Sequence, residues 1–514
     1  MLSIVKSMAL NGLNGYLISI QVDISNGMPY FEIVGLPDTS VRESKERVKT
    51  AIKNSNIEFL SRRIVVNLAP ANTKKEGSSL DLPIAIGILI ASGKIRNRYL
   101  ESFLEDTIFI GELSLDGTIE NVNGILPVCI EAKKLGIKRV ILSKKNAKEA
   151  SIIDGLEILS VSNLNEVIQY LNGEIPLKKE KKSDFFIDDR TKYEFDFSDV
   201  KGQENVKRAL EIAAAGGHNC LLIGSPGSGK TMLARRLPSI LPDIQFEEAL
   251  EVTKIHSIAG LLSEKRPMIL KRPFRSPHHT ITPASLIGGG KIPKPGEISL
   301  AHFGVLFLDE LPEFKKNTLE LLRGPLEDRI VAISRLNMAI TYPCNFMFVA
   351  SMNPCPCGYY NCKEKECTCR PDQIKKYTSK ISGPLLDRID IQIEVQSVEY
   401  NKLNSNKKEE TSEEIRKRVN QARKLQLIRY ENYNIFSNSE LTPQLIEKYC
   451  NLNSKSKRIL ELSFEKLGLS ARAYSRILKV ARTIADLDNS NSIEANHLAE
   501  AIQYRSLDRK YWGS

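Results

Sequence analysis

The sequence has no apolar run long enough to cross a membrane. Its longest apolar stretch, Leu82 to Ser92, is far shorter than the about 20 residues that a bilayer requires, and it contains Pro83. This stretch is predicted to be a buried helix. Residues 1–20 carry one lysine but no sustained apolar stretch before a small-residue cleavage site, so no secretory signal is expected. The protein is therefore predicted to be cytoplasmic, with no membrane partner.

Cysteine is also scarce, with nine residues in 514. So few cysteines in a cytoplasmic chain of this size do not indicate a disulfide framework. Five of them nevertheless lie between Cys355 and Cys369. Two C-x-C pairs, Cys355 with Cys357 and Cys367 with Cys369, flank a short loop and are predicted to hold a structural Zn²⁺. The alternatives are that Cys362 replaces one ligand, or that the thiols are reduced and carry no metal.

The composition is that of a folded globular protein, with 42% hydrophobic and 26% charged residues. A chain of 514 residues is too long for one compact core, and it predicts roughly three domains. The 73 lysines and arginines outnumber the 62 acidic residues, which gives a formal net charge of +11. This surplus favours a polyanionic partner, although over so long a chain it serves solubility equally well.

The first part of the chain is predicted to be an α/β domain followed by a linker. Residues 1–172 alternate strand-like runs, such as Tyr16–Val22 and Arg63–Leu68, with helix-like ones, such as Ser40–Asn54. Residues 173–196 contain a lysine-rich run and little periodicity, which is typical of a linker.

The remaining chain changes from a sheet pattern to a helical one. Residues 197–394 place glycine-rich turns after buried strands, which is typical of a parallel sheet with crossover helices. Residues 395–514 are predicted to be helical. Thr411 and Glu414 form a capping-box pattern, and Asn491, with an acid three residues later, signals another helix start.

The strongest motif is a glycine-rich loop between an apolar strand, Leu221–Ile223, and a helical segment, Met232–Leu237. Its glycines allow successive backbone N–H groups to turn toward phosphate oxygens, and the helix N-terminus adds partial positive charge. Its lysine is predicted to reach the β- and γ-phosphates of ATP, and its threonine to coordinate Mg²⁺. The alternative is a glycine loop that arose by chance. The residues expected to hold the nucleotide are Gly224, Ser225, Pro226, Gly227, Ser228, Gly229, Lys230 and Thr231.

Polar residues follow two further strands. Asp309 and Glu310 end the buried run Val305–Leu308. Asp309 is predicted to bind Mg²⁺ and Glu310 to polarise the attacking water, because phosphoryl transfer depends on positioning and charge stabilisation. Asn353 follows the run Phe346–Ser351, and its amide is predicted to orient the same water. The alternatives are an ordinary acidic strand end and a simple turn residue.

These motifs form part of a resemblance that extends over essentially the whole chain. Together with Asp199–Gln203, Pro273–Thr280, Pro295–Leu300 and Gly383–Asp390, they resemble the magnesium-chelatase-like AAA+ ATPases, and most of all the ComM/YifB group. The resemblance includes an N-terminal domain that magnesium-chelatase ATPase subunits do not carry. The implied fold is α/β: a Lon-protease-like (ribosomal-S5-like) domain, an AAA+ P-loop core with a parallel sheet, and a C-terminal helical lid.

The resemblance also implies a ring, expected to be a hexamer, in which each nucleotide lies between two subunits. Arg388 would be the finger that reaches the neighbour's γ-phosphate, and a guanidinium supplied in this way raises the rate on the order of a thousandfold or more. Arg472 resembles the sensor of the helical lid, and Arg476, one turn further, is the competing choice. Each arginine could instead be an ordinary surface charge.

Two segments have the character of loops that touch a phosphate backbone. Arg329–Thr341 is predicted to form two strands around a turn near Arg335, and Gly288–Pro295 to form a basic, glycine-rich loop. Both could face a central pore, and the alternative is a pair of solvated turns. His278 and His279 are candidates for contact with a neighbour or nucleotide, or for satisfied structural groups.

The N-terminal domain resembles the proteolytic domain of Lon in the segments Gly111–Thr118 and Asn123–Leu126. Such a protease needs a serine that is activated by a lysine. Ser79 stands where the nucleophile would, but the position that matches the lysine is Leu126. Because a leucine cannot take a proton, this domain is predicted to be non-catalytic and to serve contacts.

Three functions are therefore open. The first is a DNA motor that hydrolyses ATP and, as the resemblance implies, promotes branch migration on single-stranded or branched DNA during uptake and recombination. The second is an ATPase subunit that drives metal insertion into a porphyrin, against which stand the N-terminal domain and the cysteine loop. The third is an ATP-dependent protease, which Leu126 disfavours.

Overall fold

The computed structural model describes residues 2–182, 193–290, 293–335, 338–362, 365–398, 409–467 and 471–512. The chain divides into two compact units, one of Met1–Ile187 with Ala249–Ile269 and one of Asp188–Glu248 with Leu270–Ser514. The segment 249–269, which lies inside the predicted ATPase core, thus belongs to the first unit. Residues 183–192 of the predicted linker, Lys291 and the turn residues 336–337 lie outside the described residues.

The first unit contains a seven-stranded mixed sheet in the order β3-β4-β2-β1-β5-β8-β9. Its strands, with the short pair β6 and β7, are β1 (Leu2–Asn11), β2 (Asn14–Ser25), β3 (Tyr30–Val34), β4 (Arg63–Ala69), β5 (Thr107–Ile110), β6 (Glu112–Leu113), β7 (Ile119–Glu120), β8 (Arg139–Ser143) and β9 (Glu157–Val161). Its helices are α1 (Thr39–Asn54), α2 (Asp81–Ala91), α3 (Leu100–Glu105), α4 (Ile125–Lys134), α5 (Ala147–Ala150) and α6 (Leu164–Leu171).

The sequence patterns explain these elements. Strand β4 alternates buried and more accessible residues because one face of it packs into the core. Helix α2 is apolar along nearly its whole length and is almost entirely buried, which confirms the prediction for Leu82–Ser92. Helix α1 begins after Asp38, whose carboxylate accepts a hydrogen bond from the Val41 amide at 2.8 Å. The predicted strands and helix of this domain are thus present.

The second unit contains a five-stranded sheet in the order β11-β14-β17-β10-β18, in which every pair of neighbours is parallel. Its strands are β10 (Cys220–Gly224), β11 (Phe274–Arg275), β14 (Val305–Leu308), β17 (Met347–Met352) and β18 (Ile391–Val395), and two separate hairpins pair β12 (Gly288–Gly289) with β13 (Lys294–Pro295) and β15 (Ile330–Arg335) with β16 (Met338–Pro343). The parallel α/β core confirms the predicted fold class.

The helices of this unit that precede the C-terminal part are α7 (Glu204–Gly216), α8 (Lys230–Arg236), α10 (Pro283–Ile287), α11 (Glu297–Leu300), α12 (Lys316–Glu320), α13 (Arg323–Asp328), α14 (Pro371–Thr378) and α15 (Gly383–Leu386). Helix α9 (Phe246–Ala259) begins in this unit and contributes residues 249–259 to the first unit. One hydrophobic core is shared by the sheet, α7 and the C-terminal helices.

The C-terminal part is helical, as predicted, with α16 (Ser412–Arg429), α17 (Pro443–Tyr449), α18 (Ser454–Leu467), α19 (Ala471–Leu487), α20 (Ala495–Gln503) and α21 (Leu507–Trp512). The capping box of Thr411 and Glu414 is present at the start of α16. The predicted start at Asn491 is wrong, because α20 begins after Glu494. The buried Ile493 forms a β-bridge with Leu452, which keeps the chain extended up to that point. Among the described helices, none is long and apolar enough to span a bilayer.

Candidate active site

The glycine-rich loop leaves the buried strand β10 and enters helix α8 at Lys230. Gly229 caps this helix with a φ of 91°, a left-handed conformation that favours glycine. A Cβ atom on Gly224 would lie 2.3 Å from the Val395 carbonyl oxygen, so only glycine fits there. The strand, loop and helix therefore have the arrangement that the motif predicts.

Lys230 is held at the centre of the loop. Its ammonium donates to the carbonyl oxygens of Gly224 at 2.7 Å and Ser225 at 2.8 Å, and to Asn353 Oδ1 at 3.1 Å. Burial lowers the pKa of Lys230, and the nearby carboxylates of Asp309 and Glu310 oppose that shift. A buried cation held mainly by carbonyl oxygens is suited to a phosphate group.

A buried hydroxyl also lies in this loop. Within the described part of the chain, Ser228 Oγ has no hydrogen-bond partner. Its carbonyl oxygen accepts a hydrogen bond at 3.0 Å from Gln203 Nε2, which also donates to the Gln396 carbonyl at 2.7 Å. Gln203 thus links the loop at Ser228 to the chain that follows β18. An unpaired buried hydroxyl beside a buried ammonium fits the phosphate chain of a nucleotide.

The acidic pair lies beside the loop because β14, β17 and β10 are neighbouring parallel strands whose carboxyl ends meet. Thr231 Oγ1 donates to Asp309 Oδ2 at 2.7 Å. The hydroxyl of Ser351, at the end of β17, donates to Asp309 Oδ1. These oxygen atoms have the chemistry of a Mg²⁺ site, because Mg²⁺ prefers hydroxyl and carboxylate oxygens.

Glu310 stands at the exposed end of this group. Its φ of 53° is unusual for a residue with a side chain, and its amide donates to Asp309 Oδ1 at 3.1 Å and to Ser351 Oγ at 3.3 Å. The hydrogen bonds of Ser351 to Asp309 and Glu310 were not predicted. The alternation of side chains along a β-strand could have indicated them, because Ser351 is two residues from Asn353 and so points to the same face.

The cysteine loop places all four predicted ligands together. The sulfur atoms of Cys355, Cys357, Cys367 and Cys369 lie within 4.8 Å of one another. Three of their separations are 3.3, 3.5 and 3.6 Å. Sulfur atoms at 2.3 Å from a tetrahedral zinc ion would be about 3.8 Å apart, so the arrangement fits a structural Zn²⁺ site after a small expansion.

The cysteine loop also contacts the glycine-rich loop of residues 224–231, which is called the phosphate-binding loop below. A Cβ atom on Gly358 would lie 2.4 Å from Pro226 Cδ, so the backbone of the cysteine loop lies directly on Pro226. On another side the ring of Tyr360 packs edge-on against Tyr511 of α21, with 6.4 Å between the ring centroids. The cysteine loop therefore links the phosphate-binding loop with the C-terminal helix.

Arg388 is fixed at the other edge of the sheet. Its guanidinium donates to the carbonyl oxygens of Arg323 at 3.0 Å and Pro384 at 2.7 Å, and it forms an ion pair with Glu327. The Arg388 carbonyl accepts a hydrogen bond at 2.7 Å from Asn219, the residue before β10. Arg388 is thus at the amino end of β10, whereas the phosphate-binding loop follows the carboxyl end of the same strand.

The two lid arginines lie beside Arg388. Arg472 is exposed and pairs with Asp387 at 3.1 Å. Arg476 pairs with the buried Asp390, which also lies 3.4 Å from His218 Nδ1. Burial alone would raise the pKa of Asp390, but Arg476 and His218 outweigh burial and hold it far below its usual value. The structure thus brings the three arginines together along residues 387–390.

The two segments with phosphate-contacting character are both hairpins. Strands β15 and β16 pair from Ile330 with Pro343 to Arg335 with Met338. Strands β12 and β13 pair Gly288 with Pro295. The Tyr342 hydroxyl donates to the Pro293 carbonyl at 3.0 Å, which joins the two hairpins.

The two histidines contact each other, and the ring of His279 also packs edge-on against Phe314. The rings of His278 and His279 are 4.0 Å apart, and His278 Nδ1 lies 3.0 Å from Thr280 Oγ1. His278 is exposed. These contacts leave both predicted roles of the pair open.

In the first unit, Leu126 is fully buried and its amide donates to Glu149 Oε1 at 2.9 Å. Glu149 also accepts a hydrogen bond from the Ser257 hydroxyl. Burial raises the pKa of Glu149, and these hydrogen bonds oppose the shift. Ser79 is half-buried, and its carbonyl oxygen accepts from the Gly111 amide at 3.0 Å. The position that matches the protease lysine is thus part of the apolar core.

Comparison with known proteins gives consistent similarities along the chain. The family model described as magnesium chelatase, subunit ChlI, matches residues 196–403, that of subunit ChlI of Mg-chelatase matches residues 20–146, and that of the ChlI C-terminal part matches residues 409–505.

Several relatives match this chain over nearly the full length, among them the following two. The chain is 44% identical over 512 residues to the competence protein ComM of Haemophilus influenzae, which covers 99% of this chain and 98% of that protein. It is 44% identical over 509 residues to the uncharacterized protein YifB of Escherichia coli, with the same coverage. The magnesium-chelatase 38 kDa subunit of Cereibacter sphaeroides is 26% identical over 176 residues, which is 31% of this chain and 53% of that subunit.

Proposed function

The chain belongs to the magnesium-chelatase-like AAA+ ATPase family, in its ComM/YifB group, and we propose that it is an ATP-driven motor that acts on DNA. The motor is a ring, a hexamer by analogy with its family, and it works in the cytoplasm on single-stranded or branched DNA. Its activity is helicase-like branch migration during DNA uptake and recombination.

The nucleotide site would be built from the elements at the carboxyl edge of the sheet. The loop from Gly224 to Thr231 would hold the phosphates of ATP, with Lys230 as the buried cation. Thr231 and Asp309 would hold Mg²⁺, which supplies charge neutralisation at the phosphates. Glu310 would take the proton of the attacking water, and Asn353 would orient that water.

One observation supports a shared active site above all others, namely that Arg388 and Lys230 lie at opposite ends of strand β10. The five residues of β10 span about 16 Å at about 3.3 Å per residue. The contacts of Arg388 with Arg323 and Pro384 hold it there. Because Arg388 is held at the end of β10 opposite to the loop of residues 224–231, we infer that it completes the site of the next subunit in the ring.

The contacts of the lid arginines favour Arg472 over Arg476 as the sensor. Arg476 is paired with Asp390, which is 4% exposed and would lose its arginine partner deep in the protein if the arginine moved. Arg472 has a 66% exposed side chain and a weaker partner in Asp387. It can therefore exchange that carboxylate for a phosphate at modest cost. Since Asp387 is next to Arg388, both arginines would act on the same neighbouring nucleotide.

DNA is the proposed target because a relative that matches this chain at full length is a competence protein. The net charge of +11 and the two joined hairpins agree with a phosphate backbone as substrate. The magnesium-chelatase subunit, by contrast, matches only 31% of this chain. A Lon-like protease is disfavoured because Leu126, where the lysine would stand, is buried.

We also propose that the four cysteines hold a structural Zn²⁺.

The test is the ATPase rate of the purified protein with and without single-stranded or forked DNA at low salt. DNA should raise the rate several-fold. Lys294→Ala, on the exposed side of the β12–β13 hairpin, should reduce this stimulation and leave the rate without DNA unchanged. Lys424→Ala removes an exposed charge from α16 and is the matched control. If DNA neither binds nor stimulates hydrolysis, the proposed target is wrong.

A further inference from the structure

The second unit contains a polar cavity that is separate from the nucleotide site. It has a volume of about 410 Å³ and lies at the amino ends of the parallel strands, where Asn219, Gly304 and Met347 line it. The phosphate-binding loop lies at the carboxyl ends. Helices α16 and α19 close the other side of the cavity with Arg423 and Lys479.

Most charges on the cavity wall are paired. Arg272 pairs with Glu248 at 2.7 Å, Arg329 pairs with Glu440 at 2.9 Å, and Arg476 pairs with Asp390. Glu327, the remaining carboxylate of the wall, pairs with Arg388. The acidic groups of the cavity are therefore already occupied by arginines.

Arg423 and Lys479 are the exceptions. Arg423 donates to the carbonyl oxygens of Phe436 at 3.0 Å and Ala214 at 3.2 Å, and its buried Nε atom has no partner among the described residues. Lys479 donates to the Ser439 carbonyl at 3.0 Å. Across the described ranges, neither cation is paired with a carboxylate.

The charges around these two cations are of both signs, and Glu248 and Glu440 partly stabilise Arg423 without pairing with it. Burial, with a contribution from Arg272, lowers the pKa of Arg423 to about 10. Burial lowers the pKa of Lys479 to about 8, Arg476 and Arg329 add to that shift, and Asp390 opposes it. A half-buried cation without a directly paired carboxylate is only partly compensated for its lost hydration, so both positions would gain from a bound anion.

The geometry points to a second anion site in this cavity, for a small, multiply phosphorylated molecule that contacts Arg423 with one phosphate group and Lys479 with another. Arginine and lysine are the side chains that bind phosphate in proteins. A cavity of this size is within the range of small-ligand sites. The proposed anion ligands, Arg423 and Lys479, have no part in the proposed ATPase mechanism, and the cavity shares no residue with the loop of residues 224–231.

The experiment uses inorganic pyrophosphate as the probe and the full-length Lys230→Ala protein, in which the phosphate-binding loop is disabled. Calorimetry at pH 7 should detect binding, and pyrophosphate should raise the melting temperature. Arg423→Gln and Lys479→Met should each weaken binding by about tenfold or more, because each removes a charged hydrogen bond. Lys424→Gln with Lys455→Gln removes two exposed charges outside the cavity and should leave binding unchanged.

A second measurement needs no cavity variant and so holds even if those variants do not fold. At pH 8 about half of the Lys479 side chains are neutral, as follows from their lowered pKa. Pyrophosphate should slow acetylation of Lys479, followed by mass spectrometry, and should not slow that of Lys424. Binding that requires an intact Lys230, equal protection of both lysines, or weakening by only one cavity substitution would each overturn the two-phosphate site.

Discussion

Glu310 adopts a backbone conformation that few residues with side chains adopt, with a φ of 53°. Its amide donates to Asp309 Oδ1 and Ser351 Oγ, so two hydrogen bonds offset the strain of this conformation. The consequence is that the Glu310 carboxylate is turned to the exposed side of the group. A carboxylate that is fixed in this way, beside the expected position of the γ-phosphate, is suited to take a proton from water.

Glu310→Gln should therefore retain ATP binding and lose turnover. The amide has the same shape but cannot accept the proton, and we expect the turnover rate to fall by at least about a hundredfold. Nucleotide binding by calorimetry and phosphate release by a coupled assay measure the two effects. Glu313→Gln removes an exposed acid three residues later and should change neither quantity. Normal turnover in Glu310→Gln would assign the proton transfer to another group.

The lid arginines should separate stability from activity. Arg476→Ala leaves the buried Asp390 without its main partner and should destabilise the protein by about 3 kcal/mol. Arg472→Ala breaks an exposed pair and should cost about 0.5 kcal/mol or less, yet it should lower ATP turnover markedly. Thermal unfolding measures the stability of each variant, and the ATPase rate measures its activity. The reverse pattern would make Arg476 the sensor.

The Asp390 contribution also has a defined pH dependence. Its folded-state pKa lies below that of an unfolded aspartate, so its stabilisation is present above about pH 4 and is lost as the pH falls below that value. In the Arg476→Ala protein this acid-sensitive contribution should be reduced. Thermal unfolding between pH 3 and pH 6 would show a smaller loss of stability than in the parent protein.

At the scale of single elements, the cysteine loop contacts both the glycine-rich loop of residues 224–231 and the C-terminal helix α21. It lies on Pro226 of the phosphate-binding loop through Gly358, and Tyr360 packs against the C-terminal helix. Three of the sulfur separations are 3.3 to 3.6 Å, and such close thiols are typical of metal ligands. A bound Zn²⁺ would fix this loop and thereby the backbone that surrounds the phosphates.

Removal of zinc should consequently weaken ATP binding. Cys367→Ser should release one equivalent of zinc per chain, measured by metal analysis, and should raise the dissociation constant for ATP. Cys362 lies in the same loop but outside the group of four, so Cys362→Ser is the matched control. Zinc loss that leaves ATP affinity unchanged would mean that the contact of the cysteine loop with Pro226 does not affect ATP binding. A preparation without zinc in the parent protein would contradict the site itself.

The elements were predictable to the extent that local pattern decides them. The period of two in Arg63–Leu68 and the Thr411 capping box each correspond to the observed element, because each depends on nearby residues. The start assigned to Asn491 failed because a bridge between Ile493 and Leu452 is a long-range interaction. The membership of residues 249–269 in the first unit likewise depends on contacts such as Glu149 with Ser257, which are distant in sequence.

The site was predictable in its composition more than in its geometry. Lys230, Thr231, Asp309 and Asn353 converge as expected, because strand ends of a parallel sheet must meet at one edge. The partners of Arg388 could not be anticipated, since the Glu327 carboxylate comes from helix α13, 61 residues earlier in the sequence, and no spacing signals it. The same holds for the charges of the cavity, which only the packing of α16 and α19 against the sheet brings together.

At the scale of the whole molecule, the position of Arg388 would make a single subunit an incomplete enzyme if the proposed function holds. Arg388 stands at the amino end of β10 and the loop of residues 224–231 at the carboxyl end, so one chain would supply the two halves of two different sites. In a ring of head-to-tail contacts, every site then combines the loop of one subunit with the arginine of the next. Activity should therefore depend on protein concentration as well as on ATP.

Mixing two inactive variants tests this arrangement directly. Lys230→Ala lacks the phosphate-binding lysine and Arg388→Ala lacks the finger, so each should be inactive as a pure ring. In rings mixed at equal amounts, about one interface in four joins an intact loop to an intact finger, and a measurable part of the ATPase rate should return. Mixing Lys230→Ala with Glu310→Gln should restore nothing, because both changes lie on the same side of the interface. If the first mixture stays inactive while the variants co-assemble, Arg388 does not act across subunits.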